Sequence, residues 1–145
     1  MTIITHIAVT AIGVQALNLR GRDAVLAFLF GVAVDIDHVI KAPFYLRYAG
    51  LTNQKDYYWR SSLQEPVAFL WILPLCLYFG TIVPALFFAI HLAIDYSVGY
   101  EKMPFYPYSR YISRGWLTQY PDKTKEITLL AGLACCQAYL LWVHR

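Results

Sequence analysis

The feature that most constrains this chain is a run of 29 residues, 66–94, that contains no Asp, Glu, Lys or Arg. A helix crossing a bilayer needs only about 20 predominantly apolar residues. The run is too long for one span, and it carries Gly80 and Pro84 near its centre. It therefore predicts two helices joined by a tight turn at Phe79-Gly80-Thr81, with Pro74 kinking or weakening the first of them. Residues 1–19, 24–34 and 127–143 are also free of these charges, and Arg20, Gly21, Arg22 and Asp23 separate the first two of these stretches. Together the runs predict a single all-α domain, a polytopic membrane helical bundle. Its five transmembrane helices fall at roughly 3–18, 23–40, 64–79, 81–98 and 124–143, with two aromatic-rich interfacial segments over 41–64 and 96–126. The last three helices give the strongest hydropathy signal; the first two are more amphipathic and are expected to be shielded by the others. No internal repeat and no alternating strand pattern competes with this reading.

Composition removes the soluble alternative. Apolar residues make up 59% of the 145 residues and charged residues 14%, against about 45–50% and 25% in ordinary soluble domains. A domain this small has too much surface per volume to hide that excess. Disorder needs the opposite balance. A net charge of +3, scattered along the chain, gives no basic face for nucleic acid. Cys76, Cys135 and Cys136 lie in apolar stretches without zinc-knuckle or redox spacing, and read as small packed side chains. The N-terminal apolar run lacks a basic leader and contains His6, so it reads as a retained segment, not a cleaved signal.

Ionisable groups inside apolar helices are costly, about 2.5–3.5 kcal/mol each on the milder insertion scale, and are functional by default. Here they are His6, Asp35, Asp37, His38, Glu65, His91 and Asp95. If successive helices alternate in direction, the start of the first, the end of the second, the start of the third and the end of the fourth share one side of the membrane. All seven residues then meet at one level. Asp35 and His38 (i, i+3) share a helix face, as do His91 and Asp95 (i, i+4); Asp37 points elsewhere on a regular helix, toward a second ion or the His38 ring. Imidazoles mixed with carboxylates suit Zn²⁺, Mn²⁺ or Fe²⁺ better than Ca²⁺. Four clustered carboxylates repel unless cations neutralise them, which predicts two or more divalent ions and places His6 and His91 within about 10 Å of each other. Taken singly, each element has a plain structural reading: a packed histidine, a solvated helix end, a hydrogen-bonded pair.

Thr5-His6, the segment Gly31-Val-Ala-Val-Asp35-Ile-Asp37-His38, and His91-Leu-Ala-Ile-Asp95 followed by Gly99 and Pro104-Phe-Tyr-Pro107-Tyr-Ser109 resemble the YdjM family of membrane-bound, metal-dependent hydrolases. The resemblance covers roughly residues 5–110. That family looks like a membrane relative of the zinc-dependent phospholipase C and P1 nuclease group, all-helical enzymes that hydrolyse phosphate esters with clustered zinc ions. The resemblance implies that His6, Asp35, Asp37, His38, His91 and Asp95 are metal ligands and that Zn²⁺ is the cofactor. Many members carry histidines where this chain has Trp59 and Gln64, while Arg60 is kept; Glu65 stands next to the second replaced position.

Such a cluster activates water and polarises a phosphoryl or carbonyl oxygen. Glu65 is the candidate general base, or a further metal ligand; as the residue before Pro66 it is also placed to be a helix N-cap. Arg60 is a candidate phosphate clamp, or an interfacial anchor. Ten of the twelve tyrosines lie in the two polar segments, an interfacial belt or the mouth of a site at headgroup depth. The expected activity is hydrolysis of a membrane-lipid phosphoester. A divalent-metal transporter or channel is the alternative from another class, and a metal-dependent lipid transferase a third. Transporters place polar groups near the midplane with a path to both sides, and the far-side turn at residues 79–81 is uncharged. Lys41, Arg47, Lys55, Arg60, Lys102, Arg110, Arg114, Lys123 and Lys125 lie on the site side, and Arg20, Arg22 and Arg145 on the other. The excess predicts that the site faces the cytoplasm.

Overall fold

The computed structural model describes residues 3–36, 40, 43, 64–98, 101–102, 104–105, 108–109, 111–115, 117 and 119–143. Five α-helices lie among them: α1 (Ile3–Ala16), α2 (Arg22–Gly31), α3 (Phe69–Phe79), α4 (Val83–Val98) and α5 (Asp122–Val143). Two short 3₁₀ turns, Ala33–Asp35 and Pro66–Ala68, follow α2 and precede α3. The all-helical expectation holds apart from one small ladder. In the second aromatic segment β1 (Glu101–Lys102) pairs antiparallel with β2 (Ser113–Arg114), a pairing too short to leave an alternating pattern in the sequence.

Local chemistry sets the helix ends. Asn18 closes α1 in the left-handed region at φ 50°, while the Leu19 N–H bonds back to the Val14 carbonyl at 2.9 Å. Gly80 closes α3 at φ 65°, and the Thr81 N–H bonds to the Cys76 carbonyl at 3.1 Å. Both are Schellman-type stops, which favour Gly or Asn. The turn between α3 and α4 therefore falls where Gly80 predicts it. Pro74 lies inside α3 without ending it. Glu65 takes an extended conformation, φ −120° and ψ 158°, as a residue before proline must.

The expectation of one helix over 23–40 is corrected. The α-helix stops at Gly31, Val32 leaves helical geometry at φ −132°, and a 3₁₀ turn continues to Asp35. In an unbroken helix the Asp35 N–H would bond to the carbonyl of Gly31, four residues back. It bonds to the Val32 carbonyl instead, at 3.1 Å, because Nδ1 of His91 engages the Gly31 carbonyl at 3.1 Å. Glycine followed by a β-branched residue holds the helix weakly there, so a tertiary contact can take its carbonyl.

Helix α4 is the centre of the core. One side packs Phe87 and Val83 with Leu26 and Ala27 of α2; another packs Phe88, Ala85 and Leu92 with Ile72 of α3 and Ala68. Helix α1 lies against α2 on one side and α5 on the other. Gln137 of α5 donates to Gln15 of α1 at 2.6 Å. The α1–α2 approach is close: a Cβ on Gly31 would overlap the Thr10 hydroxyl. Beyond α4 the chain returns to that helix's C-terminal end, where the Leu117 N–H bonds to the Ser97 carbonyl and Lys125 Nζ donates to the Val98 carbonyl at 3.2 Å, a favourable place for a cation.

Beside this apolar core, α1 and α3 turn much apolar surface outward. On α1 the buried residues are Thr5, His6 and Thr10, while Ile3, Ile4 and Ile7 are exposed. On α3 only Ile72 is buried, and Trp71 and Leu77 are 71% and 84% exposed. Helix α5 is the one helix among the described residues long and apolar enough to cross a membrane, over Lys123–Val143, and no residue of its most apolar stretch is fully buried. The apolar segments Ile3–Ala16, Pro66–Phe79 and Val83–Val98 are shorter than that requirement.

Candidate metal centre

Four helical segments deliver the polar cluster. Helix α1 brings His6 inward on its polar face. The 3₁₀ turn after α2 presents Asp35. The stretch leading into α3 brings Gln64 and Glu65, both buried, and α4 brings His91 and Asp95. The imidazoles of His6 and His91 stack with centroids 4.2 Å apart and planes inclined by 24°. That meets the expectation that the two lie within about 10 Å. Asp35 spans both rings: its Oδ2 lies 3.7 Å from His6 Nε2, and its Oδ1 lies 3.6 Å from His91 Nε2. Oδ1 of Asp95 lies 3.2 Å from His6 Nε2.

Hydrogen bonding fixes the His91 tautomer. A carbonyl oxygen only accepts, so the bond to Gly31 makes Nδ1 the N–H donor. In the neutral ring the lone pair then sits on Nε2, facing the Asp35 carboxylate. Acceptor faces acceptor, and Nε2 of His91, on a residue only 1% exposed, has no hydrogen-bond partner. The buried Nδ1 of His6 has none either. Buried polar atoms without partners are costly, and a cation bound at His91 Nε2 would remove that cost there; His6 faces Asp35 and Asp95 through its other nitrogen, Nε2. An N–H to backbone carbonyl bond behind a coordinating nitrogen is the usual support of a metal-binding histidine.

The distances agree with a shared ion. A tetrahedral site with bonds of about 2.0–2.1 Å has ligand–ligand edges of about 3.3 Å. Contacts of 3.2, 3.6 and 3.7 Å need only small adjustments to reach such edges. His6, Asp35 and His91 each offer a ligand atom within 4.8 Å of the others, so this largely buried group can hold a metal ion. Asp95 adjoins it through His6.

Gln64 and Glu65 play different parts from one another. Gln64 Nε2 donates to Asp35 Oδ1 at 3.1 Å and reaches the Val34 carbonyl at 3.5 Å, which orients the carboxylate between the imidazoles. Glu65 stands at the N-cap position before Pro66, but its side chain makes no capping bond; its Oε2 accepts a hydrogen bond from the Tyr96 hydroxyl. Tyr96 follows Asp95 on α4, so Glu65 is tied to the helix that carries half of the cluster. Asp37, His38 and Arg60, the other expected site residues, lie outside the described residues. Gln64 was singled out only as standing where the resembled family carries a histidine, not as a support for Asp35, and the Gly31 carbonyl had no advance signal as a support for His91. No family model, curated protein or solved structure matches this chain.

Proposed function

We propose that this protein is a membrane-embedded, metal-dependent hydrolase that cleaves a phosphoester of a membrane lipid, with its site facing the cytoplasm. The observation that carries the reading is the tautomer-locked His91 Nε2, buried against Asp35 and stacked on His6, with no hydrogen-bond partner of its own. Two imidazoles and carboxylates favour Zn²⁺ among common ions, with Mn²⁺ or Fe²⁺ next. His6, Asp35, His91 and Asp95 would hold one ion; Asp37 and His38, close by in sequence, would serve a second. A bound divalent ion supplies Lewis-acid activation of water and of a phosphoryl oxygen. Glu65, oriented by the Tyr96 hydroxyl, takes the proton of the attacking water, and Arg60 binds the phosphate. The outward apolar surface supports a bilayer setting, with the chain crossing as a polytopic bundle, since contiguous exposed apolar surface of this extent marks a membrane or partner contact. The resemblance to the YdjM family supports the reaction class.

The test is metal content and turnover on one preparation. Protein purified in detergent without chelator is expected to carry two or more transition-metal ions per chain. It is expected to release phosphate from phosphatidic acid in mixed micelles, to lose this on chelation and to regain it with Zn²⁺. Absence of stoichiometric metal sinks the metal reading. Stoichiometric metal without release from any phospholipid headgroup, accompanied by metal uptake into proteoliposomes, replaces the hydrolase with a transporter.

A further inference from the structure

A cation at His91 Nε2 leaves one ring nitrogen of the cluster unsatisfied. His6 turns Nε2 toward Asp35 and Asp95, and under the metal reading Nε2 is its ligand atom. The proton of the neutral ring then sits on Nδ1. A metal-binding histidine donates that remaining N–H to a carboxylate, a backbone carbonyl or a water. His91 uses the Gly31 carbonyl. Nδ1 of His6 is buried and has no hydrogen-bond partner. Stacking on His91 sets the plane of the His6 ring, but a half-turn of the ring keeps that plane and exchanges its nitrogens for carbons. Something else must decide which edge faces the carboxylates. The residue before His6 carries a matching orphan. Thr5 is fully buried, and its Oγ1 has no hydrogen-bond partner either. Thr5 and His6 stand side by side among the buried residues of α1. Consecutive residues on a helix do not face one another, so a direct bond between them is not expected. One water can join them, since two bonds of about 2.8–3.0 Å span atoms about 5–6 Å apart. Buried waters ordinarily serve polar groups of this kind.

We propose that Thr5 is a positioning residue of the metal centre: its hydroxyl and Nδ1 of His6 hold one buried water, which fixes the His6 ring as the Gly31 carbonyl fixes that of His91. The inference rests on the metal-binding reading above. The water accepts from His6 Nδ1–H and donates to Thr5 Oγ1, so His6 keeps the lone pair of Nε2 for the ion.

The test does not rely on turnover. Zn²⁺ affinity of the full chain in detergent is measured by chelator competition, with circular dichroism as the check on folding. Thr5→Val keeps the shape of the side chain and removes its hydroxyl; it is expected to weaken Zn²⁺ binding roughly 10–100-fold, the usual effect of losing an outer-shell partner. Thr5→Ser keeps the hydroxyl and is expected to bind as the wild type does. A second measurement needs no variant. In the NMR spectrum of the Zn²⁺-loaded wild type with labelled histidines, Nδ1 of His6 is expected to carry a proton that shows cross-relaxation with a long-lived water. A His6 ring without a proton on Nδ1, or with one that contacts no water, overturns the proposal. Equal weakening by Thr5→Ser and Thr5→Val assigns the effect to packing and overturns it as well. A wild type that binds no stoichiometric Zn²⁺ defeats the metal reading itself, whereas tight binding that Thr5→Val leaves unchanged defeats the role of Thr5 alone.

Discussion

Gln64 is a neutral residue with a consequence for the metal. Its amide donates to the same Asp35 oxygen that faces His91, so it fixes the direction of the carboxylate lone pairs. Outer-shell donors of this kind are typically worth 10–100-fold in metal affinity. Gln64→Leu should weaken Zn²⁺ binding by that order in a competition titration while leaving the helical circular-dichroism spectrum intact; unchanged affinity removes Gln64 from the site. His91→Ala should abolish stoichiometric metal altogether. Glu65 is separable from both. Because its side chain makes no capping bond, Glu65→Gln should cost little stability, yet it should lower turnover by roughly 10²-fold or more as the loss of a positioned base. Near-normal hydrolysis by that variant with its metal intact would exclude Glu65 as the base. At this scale His6, Asp35, His91 and Asp95 were legible in the sequence because an ionisable side chain in an apolar helix is conspicuous. Gln64 carries no charge in a polar stretch, so only the resemblance draws notice to it and its contact with Asp35 is not foreseeable, and the Gly31 carbonyl is backbone and leaves no mark.

The break after α2 belongs to the scale of the element. Charge-free runs locate helices well, and α1, α3, α4 and α5 begin and end close to the expected positions. They say nothing about where a helix loosens into a 3₁₀ turn, because that depends on His91, sixty residues away in sequence. The break matters because it sets the approach of Asp35. Gly31 is needed there for room as well as for its carbonyl, since any Cβ meets the Thr10 side chain. Gly31→Ala should push α1 and α2 apart, cost about 1–3 kcal/mol as an overpacked contact, and shift the carbonyl that holds His91. Reduced thermal stability of the metal-free protein together with weaker Zn²⁺ binding is the expected pair of results. A loss of stability with unaltered metal affinity would uncouple the helix break from the site.

For the whole molecule, the dominant property is how much apolar surface faces outward: among the described residues many Ile, Leu and Trp side chains are exposed, while several polar ones are buried beside the apolar core. The protein should remain in the membrane pellet through alkaline carbonate and enter solution only with detergent; release into the carbonate supernatant contradicts the bilayer reading. The proposed cytoplasmic orientation rests on the basic residues that the sequence puts on the site side. In a variant with Cys76, Cys135 and Cys136 replaced by alanine, Tyr108→Cys (a position 81% exposed) should react with an impermeant maleimide only after cells are permeabilised. Reaction on intact cells would reverse the orientation. The hydrogen bond between Gln15 and Gln137 joins residues made far apart in time. The two amides are 122 positions apart, and ribosomes add about 5–20 residues per second, so Gln15 is made roughly 6–24 s before its partner exists. Until α5 is made the Gln15 amide lacks this partner, so the α1–α5 contact is among the last that the described helices can form.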